Sequence, residues 1–163
     1  MSHAITALLV PGHFDADAAV EWDLAPVSLR ENLTLFHLTH YYTAYRQARH
    51  GFTEYFDLPS DAPGIFPREA VTATIAARLC GRPDPTFAVL FTDYFAGNGS
   101  QWAVVSVDGG PVRSVRTVNE ALRALGVLAE PGSDEFDTVG LAAHRSTPEY
   151  LERYIDLCDE LGV

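Results

Sequence analysis

Two runs rich in β-forming residues, Phe87 to Phe95 (FAVLFTDYF) and Gln101 to Val107 (QWAVVSV), follow one another closely and constrain the fold more than any other feature. Their aromatic and β-branched side chains suit a pleated, half-buried surface. The intervening Gly97-Asn98-Gly99-Ser100 supplies glycine where a hairpin connection needs positive φ. Asp108-Gly109-Gly110 then turns the chain into a short third strand around Val112 to Arg116. A β-meander is therefore expected in the second half of the chain.

The first half adds strands and helices. Ala4 to Val10 (AITALLV) reads as a buried strand ended by Pro11-Gly12. Asp15 to Trp22 suits a short helix capped by an aspartate. Ser28 to His40 has ambiguous periodicity, and its β-formers favour a strand. Tyr41, Tyr45, Ala48, Phe52 and Tyr55 recur at helical spacing, so they predict the buried stripe of a helix whose surest part ends near His50. Asp57 to Gly64 is a loop by composition. Pro67 suits the first position of a helix bearing Val71, Ile75 and Leu79, stopped by Gly81.

Thr117-Val118-Asn119-Glu120 is a capping box for a helix ending at Gly126. Ser133 to Leu141 has room for one or two turns, and a last helix from Ser146-Thr147-Pro148-Glu149 runs to Leu161. No repeat or linker interrupts residues 1–163. The expectation is a single α+β domain: a small antiparallel or mixed sheet with helices packed against one face.

Every basic residue is arginine; lysine is absent. That excludes Schiff-base chemistry on the protein and a lysine-bearing phosphate loop. The formal charge of −11 weighs against nucleic acid and anionic membranes and favours basic partners. No stretch approaches the ~18 apolar residues of a membrane span, and the N-terminal apolar run lacks a basic flank, so the expected location is cytoplasmic. Cys80 and Cys158 lie on apolar helix positions and read as buried thiols, disfavoured as thiolates.

No catalytic constellation, metal set or cofactor motif emerges. The Gly97–Ser100 loop leads into a strand instead of a helix, so it lacks the anion-binding end of a dinucleotide site. His37, His40 and His50 show no metal-ligand spacing completed by a nearby cysteine.

Two surfaces remain. In the last helix, Glu149, Glu152, Asp156, Asp159 and Glu160 fall within about a third of the circumference. In the aromatic segment, Tyr42, Tyr45 and Arg46 are candidate anchors, with Tyr42, Arg46 and Arg49 off the predicted core stripe. Together they predict a protein-binding module for a basic partner, in concrete form a bacterial immunity-type protein neutralising a basic toxin domain. The competing expectation is a small enzyme or ligand-binding domain. Its polar pocket would gather Asp93, Tyr94, Ser100, Gln101 and His37 or His40 between helix and sheet.

Overall fold

A computed structural model describes residues 2–163. Six strands, β1 (Ser2–Pro11), β2 (Pro26–Ser28), β3 (Leu33–Leu38), β4 (Phe87–Phe95), β5 (Asn98–Ser106) and β6 (Arg113–Val115), form one antiparallel sheet. Their spatial order is β2-β3-β1-β4-β5-β6. The first strand of the chain is thus central, with Leu8 facing Phe36 of β3 on one side and Val89 of β4 on the other. The helices are α1 (Ala16–Glu21), α2 (His40–Arg49), α3 (Val71–Cys80), α4 (Val118–Ala124), α5 (Glu135–Val139) and α6 (Arg153–Leu161). The fold is α+β.

Alternation along each strand divides the core in two. Leu8, Val10, Phe36, Leu38, Val89, Phe91, Trp102 and Val104 pack on the first face against residues of α2, α3 and α6 and against Trp22 at the end of α1. Ile5, Ala7, Leu9, Leu35, Leu90, Ala103 and Val105 occupy the second face. Ala121 and Leu122 of α4, Val139 of α5 and Leu141 cover that face more thinly. The expected helical layer is the first face; the short C-terminal elements add a cover on the other. This two-sided burial explains why β3 and the first part of β4 read as continuous runs of buried residues.

Local chemistry sets most boundaries. Asp15 Oδ1 accepts from the N–H groups of Asp17 and Ala18, capping α1. Thr117 Oγ1 accepts from Glu120 N and opens α4. Gly81 ends α3 and Gly162 ends α6, both left-handed. The β4–β5 hairpin is tighter than expected: Phe95 pairs with Asn98, leaving Ala96 and Gly97 as a two-residue turn, both with positive φ. Gly99 then lies inside β5, where a Cβ would stand 1.8 Å from Asp93 O.

Three expectations need correction. α3 begins at Val71, well after Pro67, because Glu69 first bridges to Tyr55. The last helix starts as a 3-10 turn over Glu149–Glu152 and becomes α-helical at Arg153. The buried side of α2 is Tyr42, Thr43 and Gln47, whereas Tyr41 lies on the surface and Tyr45 is half-buried. The polar members are buried because they satisfy a distant loop: Gln47 Nε2 donates to Glu54 O at 2.5 Å, and its Oε1 accepts from Val71 N at 3.0 Å. Thr43 donates to the buried Glu69 carboxylate at 2.6 Å.

Candidate functional site

The acidic side of the last helix is exposed, as its periodicity implied. Glu149, Glu152, Asp156, Asp159 and Glu160 all face solvent, opposite the buried Leu151, Tyr154 and Cys158. None of the five forms an ion pair among the described residues. Arg153, the cation nearest this arc, is bonded to Asp23 and packs beside Tyr150 and Tyr154. The arc therefore carries its charge uncompensated.

Beside it lies a groove of about 370 Å³. It opens where β3 leaves the sheet: β1 keeps β3 as neighbour only as far as the Thr6–Leu38 pair. Beyond that pair, Ala4 N donates to Arg145 O at 2.9 Å, and Arg145 Nε donates to Ser2 O. Ala4, Ile5, Leu38 and Leu151 line the groove together with the more exposed Tyr41, Ile65, Pro148 and Ile155. Ile65 is 50 % exposed, Ile155 41 % and Tyr41 37 %. Asp93 and Glu152 supply carboxylates at its margin. His40, also lining it, packs on the Tyr41 ring with centroids 4.1 Å apart. Burial lowers the His40 pKa, with the Glu69 carboxylate opposing that shift. Ile155 joins groove and arc, because Glu152 and Asp159 flank it at i−3 and i+4 on the helix surface.

The aromatic anchors behave differently from expectation. Tyr42 is fully buried, so it is no surface anchor. Its hydroxyl donates to Trp22 O at 2.5 Å, and burial raises its pKa well beyond that of a free phenol. Tyr45 packs on Tyr154 at 5.5 Å. Arg46 is enclosed by the rings of Trp22, Tyr42, Tyr45 and Tyr154, each 5.3–5.8 Å from its guanidinium carbon. It also donates to Trp22 O and Tyr154 Oη. These contacts tie α1, α2 and α6 together, a structural use of aromatic and cation that periodicity alone does not separate from binding.

The expected polar pocket does not assemble, because strand alternation separates its members. Asp93 faces the groove on the first face; Tyr94 and Gln101 lie on the second, where Gln101 Nε2 donates to Tyr94 Oη at 3.0 Å. Ser100 is exposed on the hairpin opposite Asp93 and lines neither cavity. His40 joins the groove, whereas His37 is buried beneath the second face, 5 % exposed, with Nδ1 lacking a hydrogen-bond partner. Burial, helped by the nearby imidazoles of His144 and His3, pushes the His37 pKa from 6.5 down to about 4.

Among the described residues, no group of three or more His, Cys, Asp or Glu side chains is placed to hold a metal ion. Both cysteines are free thiols, and burial raises the pKa of each. Among the described residues, no helix is long and apolar enough to cross a membrane.

Periodicity exposed the acids but not the groove. Ile155 sits at the edge of the acidic arc and was readable there as an apolar residue next to charge. Ile65 comes from a loop and Ala4 to Thr6 from the other end of the chain, so no local signal joined them to α6. Comparison with known proteins finds no matching family model, no matching curated protein and no matching solved structure.

Proposed function

We propose that this protein is a non-enzymatic binding module whose acid-flanked groove receives a basic segment of another protein. The observation carrying this reading is the continuity of an open apolar groove with an unpaired acidic arc on one helix, joined at Glu152 and Ile155. Exposed apolar surface rimmed by polar groups is the usual anatomy of a protein-contact site. The repulsion among Glu152, Asp156, Asp159 and Glu160 costs a few tenths of a kcal/mol per i, i+3 or i, i+4 pair. A cationic partner relieves it.

In this reading Tyr41, Ile65 and Ile155 give contact area, while the arc steers and orients the partner. Tyr42 and Arg46 drop out of the binding set because they are committed to the fold. The concrete form we favour is an immunity-type protein that occupies the cationic surface of a toxin domain in the cytoplasm. The net charge of −11 supports rapid, salt-sensitive association with such a surface.

The test compares the wild type with a Glu152→Gln, Asp156→Asn, Asp159→Asn triple variant and with Ile155→Asp. A basic protein retained by the wild type, released by salt and held at least about tenfold more weakly by both variants supports the reading. If no basic protein is retained, or if both variants retain it equally, the proposal fails.

A further inference from the structure

The second face of the sheet carries its own cavity, of about 330 Å³, between the β4–β5 hairpin and the helices α4 and α5. Its polar wall is built from two fixed primary amides. Gln101 Oε1 accepts from Val118 N at 2.7 Å, and Gln101 Nε2 donates to Tyr94 Oη. Asn119 Oδ1 accepts from Phe136 N at 2.8 Å, and Asn119 Nδ2 donates to Asp134 Oδ2 at 3.1 Å. These bonds orient both amides, since a backbone N–H requires the carbonyl oxygen as its partner. Each amide nitrogen has a second hydrogen beyond the bond described. Tyr94 Oη accepts from Gln101, so its own proton is also free to donate.

The cavity thus combines three available donors with one carboxylate, Asp134. Val118 and Phe136 add apolar surface, and the His3 ring packs edgewise on Phe136 at 5.2 Å. Both His3 nitrogens are already used, Nδ1 with Thr92 Oγ1 and Nε2 with Leu141 O, so His3 serves as a wall. A carboxylate or carbonyl fits the spare hydrogens of Tyr94, Gln101 and Asn119, and an ammonium fits the Asp134 carboxylate. The volume lies near the lower limit of small-molecule sites. A purely anionic ligand would meet the repulsion of a chain of net charge −11; a ligand carrying its own ammonium would not.

We propose that this cavity, independently of the groove, binds an amino-acid-sized zwitterion with an apolar side chain. The ligand's carboxylate accepts from Tyr94 Oη and the amides, its ammonium donates to Asp134, and its side chain packs against Val118 and Phe136.

The probes are the free α-amino acids with apolar side chains, each added to the intact protein and followed by calorimetry and by amide chemical shifts. The expected result is sub-millimolar binding of at least one of them, with shifts centred on Tyr94, Gln101, Asn119 and Asp134. The same amino acid without its carboxylate, or without its amine, should bind at least about tenfold more weakly. Tyr94→Phe removes one donor at nearly constant shape. Asp134→Asn removes the charge while keeping an oxygen to cap α5. Each should weaken binding by about tenfold with the fold intact by its amide spectrum. The groove variant Ile155→Asp should leave this binding unchanged, so failure here and failure of the groove reading are separate results. No binding up to about 10 mM overturns the proposal, as does equal binding by Tyr94→Phe and Asp134→Asn.

Discussion

Replacing His37 by leucine should flatten the acid limb of this protein's stability curve. The folded imidazole stays neutral down to about pH 4, whereas an unconstrained histidine takes up its proton near 6.5. Below that upper value the unfolded chain binds the proton more readily, so stability present above pH 6.5 is lost as pH falls toward 4. The full effect is about 3 kcal/mol at about 1.36 kcal/mol per pKa unit, and most of it falls between pH 7.5 and 4.5. Its source is desolvation first, then the His144 and His3 imidazoles beside the buried ring. Leucine cannot titrate, and it removes the Nδ1 atom left without a partner.

Urea unfolding of both proteins at those two pH values gives the comparison directly. Carboxylates contribute to both curves, so the difference between the two pH losses isolates residue 37. The wild type should lose about 2 to 3 kcal/mol more than His37→Leu. Equal losses would refute the claim that burial holds this imidazole neutral.

Other substitutions probe the fold around the candidate sites. Gln47→Leu should destabilise by about 3 kcal/mol in chemical denaturation, because Glu54 O and Val71 N both lose their side-chain partner. Gly99→Ala should cost about 2 kcal/mol or more and loosen the hairpin, since the added methyl collides with the Asp93 carbonyl. Thermal melts of that variant should show the loss without any change in oligomeric state. Tyr42→Phe should cost about 1 kcal/mol through the lost bond to Trp22 O. Ile155→Asp should cost only about 1 kcal/mol, because the position is 41 % exposed and the new carboxylate adds like-charge pairs with Glu152 and Asp159.

Features set within a few residues were legible in the sequence. The Asp15 and Thr117 caps and the Gly81 and Gly162 stops act locally, and they appear where composition placed them. The acidic arc of α6 was legible for the same reason, since one helix carries all of it apart from its 3-10 start. What escaped depends on distant partners. The buried face of α2 follows the backbone needs of the 54–71 segment, so polar Thr43 and Gln47 displaced the apparent aromatic stripe. The expected pocket failed on a rule that was available: Asp93 and Tyr94 are consecutive in a strand and must face opposite ways. Asn119, Asp134 and Phe136 meet Gln101 only through the packing of α4 and α5 on the second face.

The central place of β1 also dictates the order of events during folding. This strand is synthesised before the other five, yet its β4 neighbour lies some eighty residues downstream, with Leu8 waiting for Val89. Pairing with β3 closes a shorter loop and covers one edge early; the other edge stays open until the β4–β5 hairpin docks. The nascent chain therefore carries an uncharged, hydrogen-bond-hungry edge, AITALLV, until β4 and β5 have been made. Docking of that hairpin is a non-local and intrinsically slow step, and chains stalled before it are the ones expected to aggregate.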